Sequence, residues 1–277
     1  MREISGIAVS PSDPNRLWLL NDSGNGAYLH AIDRDGERLA SVPVLGARNR
    51  DWEDLAAGVI DGRSTLVIGD VGDNDAHRPY VSLYLVAEPN LAQGRAAAAV
   101  RVDRVIHLRY PGGPRDAEGI ALDLEAGQVL VLSKRTVPPV LYAVPLASDT
   151  PTPADAVTAR QVAEVATIPP PSLSAMVTDP RYGIYASQPT ALDYVPNVGL
   201  LVMTYARPYL FDSQVPSSPE QLLSTPPRPI VSARLKQAEA AVIDGEHLLL
   251  TSERLPAPLL RVPHAARTRS PETRDRD

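Results

Sequence analysis

Acidic side chains recur in this sequence where short apolar runs begin and end. Glu53, Glu118 and Glu239 each open an apolar run, whereas Asp22 and Asp70 each follow one. Carboxylate oxygens bind hard divalent cations, and calcium takes about 6–8 oxygen ligands. Carboxylates also act as general bases in proton transfer. The chemistry open to this chain is therefore cation binding, acid–base catalysis or both, provided that the fold brings these side chains together.

The acidic positions belong to a unit that recurs along the chain. Each copy has an opening polar residue, a short apolar stretch, a turn, and a hydrophobic strand that ends in polar residues. The copies begin at intervals of 50, 65, 72 and 49 residues, and propeller blades repeat at roughly 40–50 residues. The opening residues of the five copies are Glu3, Glu53, Glu118, Thr190 and Glu239.

This pattern predicts an all-β fold, namely a β-propeller of four-stranded antiparallel blades with five visible repeats and five or six blades. A β-sandwich with chance similarity between its strands is the alternative. We predict a single propeller domain over residues 1–264. Residues 265–277 have no apolar period and are expected to form a disordered tail.

The propeller geometry predicts where the polar residues meet. The innermost strand of a blade lines the central channel and the second strand runs antiparallel to it, so the start of one lies beside the end of the other. Each opening residue should therefore share one mouth of the channel with the end of its second strand. The expected groups are Glu3 with Asn21 and Asp22; Glu53 and Asp54 with Asp70, Asp73 and Asn74; Asp116 and Glu118 with Lys134 and Arg135; Thr190 with Thr204 and Tyr205; and Glu239 with Thr251 and Glu253.

So many acids at one mouth predict a bound cation, because like charges raise each other's pKa unless a cation joins them. The predicted cofactor is calcium or another divalent cation, and its predicted ligands are Glu3, Asn21, Asp22, Glu53, Asp70 and Asn74. The predicted general base is one of Glu53, Asp70 and Glu118. The residues predicted to contact a small molecule or peptide at the mouth are Lys134, Arg135, Tyr205, Glu239 and Glu253.

Other chemistries find little support in the composition. The chain has no Cys, which removes thiolate nucleophiles and thiolate metal sites. No Gly-x-Ser-x-Gly motif is present, so an α/β-hydrolase triad is not predicted. The net charge of −6 gives no overall positive field for nucleic acid. No apolar run reaches the roughly 18 residues that a membrane span needs.

Two function classes remain open. The first is a metal-dependent hydrolase in which the cation polarises a lactone, ester or phosphoester oxygen or activates water. The second is a non-catalytic binding module in which the channel acids join the blades. Pairing of Lys134 and Arg135 with Asp116 and Glu118 would leave fewer acids for a metal and would favour the second class. We expect a monomer in either case.

Several motifs resemble a bacterial propeller family near the six-bladed TolB-like superfamily, which also holds gluconolactonase-like and phytase-like propellers. The motifs are LWLLNDSG (17–24), DWEDLA (51–56), IGDVGDN (68–74), DAEGIA (116–121) and QAEAA (237–241). The resemblance to gluconolactonase-like propellers implies a divalent metal at the channel mouth, held by Glu, Asn and Asp from different blades. The matching residue types here are Glu3, Asn21, Asp70 and Asn74.

The compartment follows from the first residues only as an expectation. Met1-Arg2-Glu3 runs into a strand-like pattern with no leader before it, which as written predicts a cytoplasmic protein. Members of the resembled family are often secreted or lipid-anchored. An extracytoplasmic location is therefore expected if the N-terminus is truncated or processed.

Overall fold

The structure is a computed structural model that describes residues 3–91, 99–181, 183–212, 215 and 217–264. It is nearly all-β, and its strands form antiparallel sheets that follow one another along the chain. The predicted tail over 265–277 lies outside the described residues. In the described part of the chain, no helix has the length and apolar character that a membrane crossing requires.

Each sheet is built from strands that are consecutive or nearly so. The first sheet holds β1 (Ile4–Val9), β2 (Arg16–Asn21), β3 (Tyr28–Asp33) and β4 (Arg38–Leu45), and the second holds β5 (Trp52–Ile60), β6 (Arg63–Asp70), β7 (Val81–Ala87) and β8 (Val100–Arg109). A short parallel pairing of β4 with β8 connects the outer edges of these two antiparallel sheets. The third holds β9 (Ala117–Asp123), β10 (Gln128–Ser133), β11 (Val140–Pro145) and β13 (Arg160–Glu164), while the short β12 (Val157–Thr158) pairs with β8.

The remaining two sheets contain the C-terminal third of the chain. The fourth holds β14 (Pro189–Val195), β15 (Gly199–Thr204), β16 (Pro208–Asp212) and β17 (Arg228–Pro229), and the fifth holds β18 (Ala238–Asp244), β19 (His247–Ser252) and β20 (Leu260–Pro263). Two short helices, α1 (Leu173–Thr178) and α2 (Pro219–Leu223), lie in the connections of the fourth sheet.

The first strands of the five sheets form a closed ring. β1 contacts β5, β5 contacts β9, β9 contacts β14, β14 contacts β18, and β18 contacts β1. The main chain closes this ring where the Glu3 N–H donates to the Glu253 carbonyl at 3.0 Å. Sheets arranged radially around a ring of innermost strands make a β-propeller. The predicted all-β propeller is confirmed, and the sandwich alternative is wrong.

The inner strands are apolar on both faces because each sheet packs between two neighbours. In β10, Val129 and Val131 pack into the core shared with the second sheet, whereas Leu130 and Leu132 pack into the core shared with the fourth. All four side chains are fully buried. Successive side chains of a strand point to opposite faces, so an unbroken apolar run satisfies two cores at once.

Every first strand carries a β-bulge at the same place near its start. The pairing with the second strand skips one residue in each sheet. The skipped residues are Ser5, Glu53, Glu118, Thr190 and Glu239. A bulge re-aims the side chain of the extra residue. Four of the five predicted opening residues are therefore equivalent, but Ser5 takes this place in the first sheet and the assignment of Glu3 to it was wrong.

Glycine follows the bulge in two of these strands because the ring is narrow there. A Cβ on Gly6 would lie 2.7 Å from the Leu55 nitrogen, and a Cβ on Gly119 would lie 2.7 Å from the Leu192 Cβ. Atoms at such distances overlap, so the backbones of adjacent first strands could not approach as closely with any other residue. Adjacent first strands therefore approach one another closely beside the bulged residues.

Candidate functional site

Main-chain hydrogen bonds hold a second circle of residues around the mouth. In each sheet, the carbonyl two residues before the bulge accepts from an N–H just after the second strand. The donors are Asp22, Gly72, Lys134, Tyr205 and Glu253, which pair with Glu3, Asp51, Asp116, Gln188 and Gln237 respectively at 2.9–3.3 Å. The fold thus repeats one backbone arrangement and varies the side chains that it presents.

Four of the five bulged residues and half of the second circle line the mouth cavity, which has a volume of about 180 Å³. Its lining is polar and contains nine residues that the sequence predicted for the site: Asp22, Glu53, Asn74, Glu118, Lys134, Arg135, Tyr205, Glu239 and Glu253. It also contains Ser5 and Gln237, which were not predicted. Glu3, Asn21 and Asp70 were predicted as ligands but do not line the cavity.

Three carboxylates form the tightest acidic group, which we call the acid trio: Asp22, Asp51 and Glu53. One oxygen from each lies within 4.8 Å of the others. Burial raises the pKa of Asp51 to about 6, and the charge of Asp22 adds to the rise. Burial also raises the pKa of Asp22, and it raises that of Glu53 well above the ordinary value. The trio forms no ion pair with a basic side chain of the described residues.

Gly72 makes room for the acid trio. A Cβ at this position would lie 2.5 Å from Asp51 Oδ2 and closer still to Glu53 Oε1. The donor set consists only of hard oxygen atoms, which suits calcium, magnesium or manganese and not zinc. The residues present therefore fit a hard divalent cation.

The Gly72→Ala variant tests this fit. The added methyl group should push the Asp51 and Glu53 carboxylates apart and weaken calcium binding by roughly tenfold, or about 1.4 kcal/mol. Calcium titration followed by thermal unfolding measures the effect. The melting temperature in EDTA is the control and should change little, because the atoms that must move are the ends of side chains. Unchanged calcium affinity would contradict the role given to Gly72.

Lys134 stands at the centre of the cavity's charges. Its Nζ pairs with Glu118 and lies 5.0 Å from the centre of the Tyr205 ring. Burial raises the pKa of Glu118 to about 7, although Lys134 opposes the rise. Burial alone would lower the pKa of Lys134, but the charges of Glu118 and Glu239 raise it above the ordinary value. Burial raises the pKa of Glu53 as well, and the charge of Glu118 adds to the rise.

The polar segment after β6 is largely neutralised within the protein. Asp70 is buried and pairs with Arg78 at 2.8 Å. Asp116 accepts from the Asp73 N–H at 2.9 Å and pairs with Arg135 at 2.7 Å. Arg135 also donates to Asn74. Asp70 and Asn74 therefore have partners in the chain, which does not favour the predictions that they bind metal or, for Asp70, act as a base.

The first sheet contributes fewer ligands than the sequence predicted. Glu3 is exposed, and its Oε2 accepts from Asn25 at 2.9 Å. Asn21 is buried at the end of β2, and its carbonyl accepts from Asn49 at 2.9 Å. Of the three ligands that the sequence predicted from the first sheet, only Asp22 lines the cavity.

The opening acids were one candidate for joining neighbouring blades. In the structure, other side chains form these connections. The Ser5 hydroxyl donates to the Trp52 carbonyl at 2.9 Å, and the Thr190 hydroxyl donates to the Ala238 carbonyl at 2.7 Å. Asp54 Oδ2 accepts from the Ile120 and Leu192 N–H groups at 2.9 and 3.1 Å. The hydroxyl residues at the bulges thus tie neighbouring blades, whereas the bulged glutamates line the cavity.

Sequence reasoning missed Asp51 and Gln237 as members of the site. Both lie two residues before a bulged glutamate, and their carbonyls fix the second circle of the mouth. The pairs Asp51–Glu53 and Gln237–Glu239 share this spacing in the sequence. This spacing could have pointed to Asp51 and Gln237. It indicates a place in the site only once the bulge at the glutamate is known.

No family model matches this chain, and no curated protein matches it. Several solved propeller-type structures resemble it at low identity. A gluconolactonase from Xanthomonas campestris is 13% identical with a TM-score of 0.49, over 94% of this chain and 71% of that one. A PQQ-bound aldose sugar dehydrogenase from Streptomyces coelicolor is 12% identical with a TM-score of 0.47, over 95% and 94%. The Cps50 (Swd1) propeller domain of Myceliophteria thermophila is 11% identical with a TM-score of 0.40, over 73% and 51%. Such similarity concerns the fold and says nothing about activity.

Proposed function

We propose that this propeller is a hydrolase that depends on a divalent cation and cleaves a lactone or ester in the mouth cavity. The observation that carries the proposal is the acid trio, whose carboxylate oxygens lie within 4.8 Å of one another beside a polar cavity. Such a group is costly without a cation, because burial and mutual repulsion raise the pKa of its members.

Asp22, Asp51 and Glu53 would hold the ion, with calcium as the first candidate. A bound divalent cation polarises a carbonyl oxygen or lowers the pKa of a water molecule. Glu53 belongs to the trio and lines the cavity together with Glu118. The charge of Glu118 adds to the rise in the pKa of Glu53, so Glu118 lies near the proposed ion site.

Glu118 is the proposed general base, since a pKa of about 7 suits proton transfer near neutral pH. It takes one proton from water while the water oxygen bonds to the carbonyl carbon. The bond from that carbon to the leaving oxygen then breaks, and Glu118 returns the proton to the leaving oxygen. The products are a carboxylic acid and an alcohol, which remain one molecule when the substrate is a lactone.

The charges of the lining favour a carbonyl substrate over a phosphoester. Its two basic residues, Lys134 and Arg135, already pair with Glu118 and Asp116. No basic side chain among the described lining residues is left to receive a phosphate dianion. An uncharged carbonyl group needs no such partner.

The same two ion pairs favour the second candidate, a non-catalytic binding module. They neutralise two of the acids that a metal could have used, so the charges of Glu118 and Asp116 are balanced within the protein. In that case the mouth cavity would hold a small molecule or peptide without turning it over. Ion binding and hydrolysis together separate the two candidates.

The test is thermal unfolding of the protein and its Asp51→Asn variant with and without calcium. Calcium at about 100 times its Kd should stabilise the protein by about 2.7 kcal/mol, a rise of roughly 5–10 °C for a domain of this size. The variant should lose this rise. Hydrolysis of p-nitrophenyl acetate and δ-valerolactone should require the ion and stop in EDTA.

Without an ion, in EDTA, Asp51→Asn should be more stable than the parent protein at high pH. The Asp51 carboxyl has a pKa of about 6 in the folded protein, above its ordinary value of 3.8. The folded state therefore binds more protons between these two values, and stability falls as the pH rises through that window. Asp51→Asn should therefore be more stable than the parent at pH 8 but not at pH 4. The matched control is Asp61→Asn, an exposed acid at the far end of the same strand pair. No calcium effect at any pH would leave the binding module as the better candidate.

A further inference from the structure

Glu239 is an acid that the proposed hydrolysis does not use. It is the bulged residue of β18, lines the mouth cavity and is 8% exposed. Its carboxylate forms no hydrogen bond or ion pair with any residue that the structure describes. Lys134 attracts it only from a distance, since the ion pair of Lys134 is with Glu118. A buried carboxylate without a partner is costly, and one that faces a cavity is open to a ligand.

Gln237 adds a second acceptor without a donor. Its backbone has a φ of 51°, a left-handed conformation that is uncommon for residues other than glycine. Its Nε2 donates to Glu253 Oε2 at 2.5 Å. Its Oε1 is buried and has no hydrogen-bond partner. Glu239 and Gln237 thus each have a side-chain oxygen acceptor that no donor of the described residues satisfies.

The lining of the mouth cavity carries a net negative charge. Asp22, Glu53, Glu118, Glu239 and Glu253 are acidic, and the two basic residues are both paired. A divalent cation on the acid trio would neutralise acids on the side of the first and second sheets. It would leave Glu239 and Glu253, next to the fifth sheet, without an ion pair among the described residues.

We propose that the mouth cavity binds the protonated amine of a small polar ligand, with Glu239 and Gln237 Oε1 as its acceptors. An ammonium group supplies the positive charge and the N–H donors that these two side chains lack. We call this place the amine subsite. It shares the cavity with the proposed hydrolase but does not depend on hydrolysis or on the ion.

An organic cation fits the amine subsite better than a second metal ion. The acid trio is the one group of three carboxylates or imidazoles that comes close enough for a metal among the described residues, and Glu239 is not in it. An ammonium group needs two or three acceptors in place of a full shell of six or more oxygen ligands. Burial raises the pKa of Glu239 well above its ordinary value, and Glu118 adds to the rise. A bound cation would offset this cost.

The experiment compares three probes that share one skeleton and differ at one substituent: glucosamine, glucose and N-acetylglucosamine. Their hydroxyl groups suit the polar lining, and only glucosamine carries an ammonium group. Binding is measured by isothermal titration calorimetry in EDTA at pH 7, so that the acid trio holds no ion. We expect glucosamine to bind at least about tenfold more tightly than glucose, and the acetylated amine to lose this advantage.

The Glu239→Gln variant assigns the effect to the amine subsite. It keeps the shape of the side chain and should remove the preference for glucosamine over glucose. Glu246→Gln is the matched control, since Glu246 is an exposed acid at the opposite end of the same sheet. It should keep the preference, which excludes an effect of net charge.

Two results would overturn the inference. The first is equal binding of glucosamine and glucose, or no binding of either at concentrations where the protein stays folded. The second is a preference for glucosamine that survives in Glu239→Gln. A preference lost in Glu239→Gln but kept in Asp51→Asn would support the amine subsite even if no hydrolysis is found, so the two proposals can fail separately.

Discussion

Replacing Glu118 by Gln should lower the kcat of hydrolysis by about 10²–10⁴-fold, the usual contribution of a general base. The amide keeps the shape of the side chain but cannot take the proton from water. In the parent protein, kcat/KM should rise with pH through about 7 as Glu118 loses its own proton. The variant should lose this rise along with the rate. Initial rates from pH 5.5 to 8.5 with saturating calcium measure both effects.

Calcium binding is the control for this variant. Glu118 lies outside the acid trio, so calcium should still raise the melting temperature of Glu118→Gln. Loss of the rate with retention of the calcium effect would separate the base from the ion site. A variant that keeps the full rate and its pH profile would show that Glu118 is not the base, and Glu53 would then be the remaining candidate that faces the cavity.

Replacing Lys134 by Met should destabilise the protein by about 3–5 kcal/mol at pH 8, the cost of breaking a buried ion pair. Lys134 is 6% exposed and pairs with the equally buried Glu118. Methionine fills similar space without the charge. Glu53, Glu118 and Glu239 would then face one another in the cavity with no cation at their centre. Urea unfolding at pH 8 measures the loss.

The destabilisation of Lys134→Met should be smaller at low pH, because the carboxyl groups that face the cavity take up protons there. Without Lys134, the pKa of Glu118 rises further above its value of about 7, so protonation restores stability as the pH falls below that value. The destabilisation should therefore be clearly smaller at pH 5 than at pH 8. The double variant Lys134→Met with Glu118→Gln should recover part of the stability at pH 8. A loss below about 1 kcal/mol at pH 8 would contradict the central place given to Lys134.

The repeated unit made the fold predictable from the sequence. Apolar runs such as Val129–Leu132 are long enough for a strand. Every residue in the run is apolar, so neither face of the strand is suited to contact with solvent. Stacked blades explain this uniformity, because alternate residues enter the cores on either side of the sheet. The antiparallel hairpin then placed the polar strand ends at one mouth by geometry alone. For that reason nine predicted residues line one cavity although they are spread from position 22 to position 253.

The sequence by itself therefore determined the kind of fold and the end of the channel where acids collect. The tertiary structure decided which acids meet, because one-residue bulges and loop closure set the direction of each side chain. The bulge places Ser5, and not Glu3, in the lining of the cavity with Glu53 and Glu118, and Asp51 joins Asp22 and Glu53 across 29 residues of chain. Asp70 forms an ion pair with Arg78 and does not line the cavity. The spacing of residues in the sequence does not predict this pair. The local sequence pattern determines which residues form strands. Which charged side chains pair with each other depends on residues that come together only when the ring of sheets has closed.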